Sequence, residues 1–238
     1  MLMALFSFLT LVQAKTLISE SKIEQTQMVE LFTSDSCSSC PPANLWLSNF
    51  KNHPLLWKKF IPVAFHVDYW NHLSWKDPFS DPLMTQRQKN LVQLWKNPVS
   101  YTPAVMINGE ELRDWYRQKE VPSTNHQVSF TMTLSHSNKE KFYLDLKNVS
   151  KSNDRPTKIR MALLGFGIVS KVTAGENAGV TMKHDFVVLD WAVQKVENKT
   201  SFEFSFKKPL FKTTELAVVA WVENDSNERP LQITGGYL

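Results

Sequence analysis

The feature that most constrains the fold is a change of residue pattern near residue 121. After about residue 125, successive segments rich in apolar and β-branched residues are separated by polar turns. Two of them, FYLDL and FEFSF, alternate apolar and polar residues, which is typical of half-exposed antiparallel strands. Residues 125–238 are therefore predicted to form a mostly antiparallel β-sandwich-like C-terminal domain.

Before residue 121, strand-like and helix-like stretches alternate. The strand-like stretches are QMVELFT (27–33), FIPVAFHVDYW (60–70) and YTPAVMING (101–109). A helix-like apolar stripe lies between the first two, and residues 83–96 repeat apolar positions at helical spacing. This alternation predicts a βαβ arrangement in an N-terminal domain over residues 25–120.

The N-terminus carries an apolar run, residues 2–14, without a charged residue. The run is shorter than the roughly 20 apolar residues that a bilayer span requires. Its length fits the apolar region of a signal peptide, and Val12-Gln13-Ala14 resembles a cleavage site. We therefore predict a signal peptide at 1–14, a mature chain beginning near Lys15, and a secreted or periplasmic location. The alternative is a first core strand or helix.

The charge distribution argues against a nucleic-acid partner. The formal net charge is +4, but the basic residues occur singly or as pairs, such as Lys58-Lys59, and form no basic stripe. No second apolar stretch approaches membrane length, so no membrane span is predicted in the mature chain.

The chain has two cysteines, Cys37 and Cys40, separated by two serines. They could form a redox disulfide, half of a metal site or a chance pair of buried thiols. A disulfide that closes so small a ring contributes only about 2 kcal/mol, against about 3 kcal/mol for a fifteen-residue ring. In a compartment that permits disulfides, such a bridge is better explained by its reactivity. Pro41 and Pro42 predict a helix that starts around Ser38 to Cys40, and its positive end would favour a thiolate at Cys37.

A strand followed by C-x-x-C at the head of a helix is the thioredoxin arrangement. In that fold a cis proline faces the cysteines, and Thr102-Pro103, directly before the strand AVMI, is the expected place for it. The predicted fold class is therefore an α/β thioredoxin-like N-terminal domain followed by a mostly antiparallel β-sandwich-like C-terminal domain.

Several motifs together resemble the DUF1223 family of secreted thioredoxin-like proteins: ELFTSDSCSSCPPA, AFHVDYWNHLSWKDPF, TQRQ, YTPAVMINGE, GENAGVTMKHDFVV and LQITGGYL. The resemblance covers nearly the whole mature chain and implies export and a thioredoxin-like N-terminal domain. It implies no substrate, because the family is functionally uncharacterised. This chain has Tyr237 where the family commonly has Trp, and Asn71 where an Asp is usual.

The segment HVDYWNHLSWKDPF supplies candidate site residues beside the cysteines. Asp68, as a catalytic candidate, or His66 could tune the Cys37 thiolate or relay a proton to Cys40. The alternative is that both are hydrogen-bonded framework residues. Trp70 and Trp75, with Phe79, could form an apolar rim that binds a peptide, or could simply be core.

The Gly-rich polar loop GENAGVTMKHD, residues 175–185, supplies secondary candidates from the second half of the chain. Glu176, Asn177 and His184 could reach the cysteine site or bind a ligand. The alternative is a long turn with a satisfied histidine.

Two classes of function remain open. The first is a thiol–disulfide oxidoreductase in which Cys37 attacks a protein disulfide, Cys40 resolves the mixed disulfide, and Thr102-Pro103 holds the substrate backbone. The second is a non-catalytic protein, which either binds copper through Cys37, Cys40 and His66 or provides a protein-interaction scaffold. No cofactor and no resident metal site are predicted; two thiols are too few for a closed structural zinc site. The first class is the prediction.

Overall fold

The computed structural model describes residues 15–96, 98–138, 140–147, 155–224 and 228–238. Within these ranges the protein is mostly β, with fourteen strands and two α-helices. The predicted signal peptide, residues 1–14, lies outside the described residues. In the described part of the chain, no helix is both long and apolar enough to cross a membrane.

Both α-helices begin at prolines. Helix α1 spans Pro41–Ser48 and helix α2 spans Pro82–Val92. Proline suits the first turn of a helix, because the N–H group that it lacks would have no partner there. The Asp81 side chain caps α2 by accepting a hydrogen bond of 2.7 Å from the Leu83 amide.

The strands of the first half are β1 (Thr16–Glu20), β2 (Gln27–Thr33), β3 (Phe60–His66), β4 (Ala104–Ile107) and β5 (Glu110–Glu111). The strands of the second half are β6 (Thr131–Asn138), β7 (Lys141–Lys147), β8 (Lys158–Phe166), β9 (Ile168–Lys171), β10 (Thr181–His184), β11 (Val187–Lys195), β12 (Ser201–Ser205), β13 (Glu215–Glu223) and β14 (Pro230–Tyr237). Short 3-10 turns occupy Asn49–Asn52 and Trp115–Arg117.

An eight-stranded sheet contains strands from both halves of the chain, in the order β14-β13-β8-β11-β3-β2-β4-β5. Strands β2 and β3 are parallel and paired over their whole length, and β4 is antiparallel to β2. Strand β11 joins the two halves: it pairs in parallel with β3 at Val187 and Ala64, and antiparallel with β8.

The predicted fold class is wrong. Of the described residues, 43% are in strands and 12% in helices, and no α/β thioredoxin-like N-terminal domain is evident among them. Strands β2–β5 instead form one end of a sheet that continues through β11 and β8. The residue pattern could not show that strands of the two halves pair in one sheet, because strands pair through backbone groups that every residue carries.

A second, antiparallel sheet has the order β1-β6-β7-β12. Alternate residues of β8 face two different cores. Ile159, Met161 and Leu163 pack with the buried side chains of the second sheet. Ala162 and Leu164 belong to the other core, which also receives the buried faces of α1 and α2. Successive side chains of β8 point to opposite faces of the sheet, so this strand contributes to two apolar layers.

The hairpin of β9 and β10 forms a separate two-stranded sheet, in which His184 pairs with Ile168. Strand β10 lies against α1. This packing brings the loop between β9 and β10 to the segment that carries the cysteines, although the two are far apart in sequence.

Candidate functional site

The two cysteines lie in the loop that joins β2 to α1. Cys37 and Cys40 form a disulfide whose Cα atoms are 5.4 Å apart. Cys40 is the N-cap of α1, and its amide donates to the Cys37 carbonyl at 3.2 Å. The helix thus begins at Pro41, just after the predicted start. Both cysteines are buried, whereas Ser38 and Ser39 between them are exposed.

The peptide before β4 faces Cys37. The Thr102-Pro103 bond is cis, which confirms that prediction. The Thr102 carbonyl oxygen lies 3.7 Å from Cys37 Sγ and accepts a hydrogen bond of 3.4 Å from the Ser39 hydroxyl. The same hydroxyl lies 3.3 Å from Cys37 Sγ. A carbonyl and a hydroxyl therefore both contact the first cysteine.

Two of the aromatic candidates border this site. Trp70 Nε1 donates a hydrogen bond of 2.7 Å to the Thr102 hydroxyl, which fixes the side chain beside the cis peptide. The backbone carbonyl of Trp75 accepts a hydrogen bond of 2.8 Å from the Ser36 hydroxyl. Both tryptophan side chains are half-buried, and Phe79 is buried.

The loop between β9 and β10 covers the cysteine loop from the other side. Asn177 Nδ2 donates to the backbone carbonyls of Asp35, at 2.8 Å, and of Cys37, at 3.0 Å. A Glu176 carboxylate oxygen accepts a hydrogen bond of 3.2 Å from the Ser38 amide. Hydrogen bonds with the side chain and the backbone of Ser38 lower the pKa of the Glu176 carboxyl. Two of the secondary candidates thus contact the C-x-x-C segment directly.

Beneath the cysteine loop lies a buried cluster of two carboxylates and two imidazoles. Asp77 Oδ2 accepts hydrogen bonds from the Asp35 amide, at 2.8 Å, and from His66 Nδ1, at 2.7 Å. His184 Nε2 lies 3.0 Å from Asp35 Oδ1. The Ser170 hydroxyl donates to the other Asp35 carboxylate oxygen. Ligand atoms of Asp35, His66 and Asp77 lie within 4.8 Å of one another, close enough to hold a metal ion.

Burial and charge act in opposite directions on this cluster. For Asp35, burial alone would raise the pKa, but the interactions with His184 and His66 outweigh it and the pKa is lowered. For His66, burial alone would lower the pKa, but the Asp77 carboxylate outweighs it and the pKa is raised. Asp35 is therefore charged more readily than an ordinary aspartate, and His66 is protonated more readily than an ordinary histidine.

Asp68 is hydrogen-bonded to α2. Its carboxylate accepts a hydrogen bond from the Thr85 hydroxyl, and its amide donates to the same hydroxyl at 3.0 Å. No hydrogen bond in the described part of the chain joins Asp68 to a cysteine. The contacts with Thr85 connect the end of β3 to α2.

The structure brings most of the candidate residues into one region, namely Cys37, Cys40, Thr102, Pro103, Trp70, Trp75, His66, Glu176, Asn177 and His184. Sequence reasoning did not single out Asp35, Asp77 or Ser39. The position of Asp35, two residues before Cys37 in the motif SDSC, was the available signal. The sequence signal for Asp77 was weaker, because this residue lies in a polar loop whose contacts depend on tertiary packing.

Comparison with solved structures places this fold among known ones. A structural-genomics target from Agrobacterium tumefaciens has a TM-score of 0.56 at 19% identity, covering 90% of this chain and 95% of that one. HBP35 of Porphyromonas gingivalis has a TM-score of 0.57 at 12% identity, covering 92% of this chain and 76% of that one. Identities this low show similarity of fold alone.

No curated protein matches the chain. Residues 28–223 match the family described as "Protein of unknown function (DUF1223)". The match runs from β2, through the cysteine loop and the buried cluster, to the end of β13. The chain therefore belongs to the DUF1223 family.

Proposed function

We propose that this protein is an exported thiol–disulfide oxidoreductase that acts on protein thiols or disulfides through Cys37 and Cys40. The observation that carries the proposal is the position of the disulfide. It joins residues only three apart, directly before a helix and beside the Thr102 carbonyl. A ring of this size contributes only about 2 kcal/mol to stability, so stability alone does not account for the bridge.

The position of the disulfide at one end of the large sheet also supports a functional site there. The cysteine loop follows β2, and the Asp68–Trp70 segment follows its parallel neighbour β3. Ligands of sheets with parallel strands commonly bind beyond the carboxyl ends of those strands. The proposal of export rests on the uncharged apolar residues 2–14, which have the character of a signal peptide.

The exchange reaction proceeds in two balanced steps. A substrate thiolate attacks Cys37 Sγ, the bond to Cys40 breaks, and Cys40 leaves as a thiolate. A second substrate thiolate then attacks the substrate sulfur of the mixed disulfide, and Cys37 leaves as a thiolate. Two substrate thiols thereby lose two electrons and two protons, and the cysteine pair gains them. The reverse sequence reduces a substrate disulfide, and a second thiol or disulfide protein must recycle the pair.

Nearby groups assist these steps. The Ser39 hydroxyl, 3.3 Å from Cys37 Sγ, can donate a hydrogen bond to the sulfur when it becomes a thiolate. The Thr102 carbonyl can accept a backbone N–H from an extended substrate, which aligns the substrate sulfur with Cys37. Trp70 keeps the Thr102 side chain in place through its indole N–H.

Trapping of mixed disulfides tests the proposal. In cells that export the protein, Cys40→Ser should accumulate covalent adducts on a non-reducing gel, because the Cys40 thiol that would resolve the bond at Cys37 is gone. Cys37→Ser should trap far fewer, because the Ser39 hydroxyl and the Thr102 carbonyl, which assist the reaction, contact Cys37 Sγ. The double serine variant is the control and should trap none.

Two results would contradict the proposal. The first is the absence of adducts with Cys40→Ser when the variant is folded and exported. The second is the absence of adducts combined with equal loss of Cu(I) binding in both single variants, because each substitution removes one soft ligand. That pattern would indicate the copper-binding alternative instead.

A further inference from the structure

The buried cluster beneath the cysteine loop has the composition of a metal site. Its four side chains come from four separate segments: Asp35 from the loop after β2, His66 from the end of β3, Asp77 from the following loop and His184 from the end of β10. All four are at most 1% exposed. Imidazole and carboxylate groups are ligands for divalent transition metals.

His66 Nε2 is a buried atom without a hydrogen-bond partner in the described part of the chain, and Asp35 Oδ1 and His184 Nε2 have only each other, at 3.0 Å. Buried polar side-chain atoms in native proteins nearly always have a partner, and a bound ion is one recognised explanation for an exception. Here His66 Nε2 is such an exception, and it lies in one cluster with two further metal-binding atoms.

The arrangement of His66 is typical of a metal ligand. Its Nδ1 is hydrogen-bonded to the Asp77 carboxylate at 2.7 Å, which leaves Nε2 as the free ring nitrogen. Metal-binding histidines commonly donate their other N–H to a carboxylate in this way, which fixes the ring and increases its basicity. Asp77 is itself held in place, because it also accepts the Asp35 amide.

The contact between His184 and Asp35 fits two ligands of one ion. The two atoms are 3.0 Å apart, yet neither makes a well-aligned hydrogen bond. Two ligands about 2.0–2.1 Å from a tetrahedral zinc ion are about 3.3 Å from each other. The second Asp35 oxygen is already occupied by the Ser170 hydroxyl, so Oδ1 is the oxygen left to bind.

The two carboxyl side chains of the cluster suit a divalent ion. Both Asp35 and Asp77 are buried, and buried carboxylates are generally paired or coordinate a metal.

We propose that Asp35, His66 and His184 bind one divalent transition-metal ion of the zinc type, with Asp77 orienting His66. Asp35 has a ligand atom within 4.8 Å of one of His66 and lies 3.0 Å from His184 Nε2, and the two imidazole rings have centroids 5.3 Å apart. The site contains neither cysteine and shares only His66 with the copper-binding alternative at Cys37, Cys40 and His66. It lies two residues before Cys37 and connects the cysteine loop to β3 and β10.

The experiment uses the full chain carrying Cys37→Ser and Cys40→Ser, which removes the thiol ligands. After treatment with a chelator, titration with Zn²⁺ should show one equivalent bound per chain. The Co²⁺ form should show visible d–d bands of a nitrogen and oxygen ligand set without a thiolate charge-transfer band. Bound metal should also raise the melting temperature.

Substitutions in the same background locate the ion. His184→Gln should abolish the one-equivalent binding, and Asp77→Asn should weaken it about 10- to 100-fold by releasing His66. His126→Gln, the same change at an exposed histidine, is the matched control and should leave binding unchanged. Circular dichroism verifies that each variant is folded. If His184→Gln does not fold, the Asp77→Asn affinity and the Co²⁺ spectrum decide.

Three results would overturn the proposal. One is no Zn²⁺ or Co²⁺ binding by the double serine chain. Another is weak binding of several ions per chain, which indicates surface carboxylates only. The third is one-equivalent binding that persists unchanged in folded His184→Gln and in Asp77→Asn.

Discussion

At the scale of single residues, the cysteine loop is positioned by side chains that are remote in sequence. Asn177 bonds two carbonyls of this loop, and Glu176 accepts from a third residue of it. Asn177 is buried, so the carbonyls that it satisfies have no access to solvent from that side. A single amide side chain thus holds together the loop before α1 and the hairpin of β9 and β10.

We expect Asn177→Ala to destabilise the oxidised protein by about 1–3 kcal/mol, because the Asp35 and Cys37 carbonyls lose their buried partner. The measurement is urea unfolding followed by circular dichroism. Glu176→Gln is the neighbouring control: it changes an exposed side chain and should alter stability by less than about 0.5 kcal/mol. Equal effects of the two substitutions would contradict this account of the loop.

The sequence predicted only part of this site. Cys37 and Cys40 could be found because their spacing and the prolines after them are local features. The contact between Asp35 and Asn177 depends on how the β9–β10 hairpin packs on α1, and no local pattern encodes that packing. The hydrogen bond between Asp68 and Thr85 of α2 could not be predicted for the same reason, and a catalytic role of Asp68 stays a prediction.

At the scale of elements, a buried arginine connects α2 to two strands of the large sheet. Arg87 donates to Glu30 of β2, at 2.7 Å, and to Glu223 of β13. Its guanidinium also lies over the Phe65 and Trp221 rings, 5.5 and 5.3 Å from their centroids. Burial raises the pKa of Glu30, and the charge of Arg87 offsets this only in part.

We expect Arg87→Met to destabilise the protein by about 3–5 kcal/mol at pH 8, because it leaves the buried Glu30 carboxylate without its cation, whereas Glu223 keeps its hydrogen bonds from Arg160. The loss should be smaller at pH 5. The pKa of Glu30 in the folded state already lies above its ordinary value, and loss of the Arg87 charge raises it further in the variant. Between the ordinary and the folded-state pKa the folded state binds more protons than the unfolded state, so the variant gains more stability than the parent protein as pH falls through that range.

The measurement is urea unfolding of both proteins at pH 8, 6.5 and 5. Arg117→Met, at an exposed position, is the control and should show a small effect that does not depend on pH. An Arg87→Met deficit that is constant over this range, or that grows toward pH 5, would contradict the stated role of Glu30.

Several individual elements could be predicted from the sequence. QMVELFT is confirmed as the short buried strand β2, whose residues are all buried. The strands predicted over 60–70 and 101–109 are confirmed over part of their length, as β3 (Phe60–His66) and β4 (Ala104–Ile107), and the helical spacing over 83–96 corresponds in part to α2 (Pro82–Val92). The segment DFVVLDWAV was correctly predicted as a strand, β11, but its partner β3 could not be identified.

At the scale of the whole molecule, the two halves of the sequence share one sheet and one apolar core. Phe65 of β3 contacts Trp191 of β11 and Trp221 of β13, with ring centroids 5.8 and 6.2 Å apart. The core under α1 and α2 also includes buried residues of β8 and β13. The cysteine loop and the buried cluster are therefore assembled from both halves, and each half alone lacks part of the site.

This continuity predicts that residues 25–120 do not fold as an independent unit. Removal of β11 would expose the backbone edge of β3, whose residues are all buried in the intact protein. Removal of β13 would take Glu223 from Arg87 and uncover Phe65. We expect the isolated fragment to show no cooperative urea transition, while the full chain unfolds in one step. A sigmoidal transition with dispersed amide resonances in the fragment would show that the first half holds its own core.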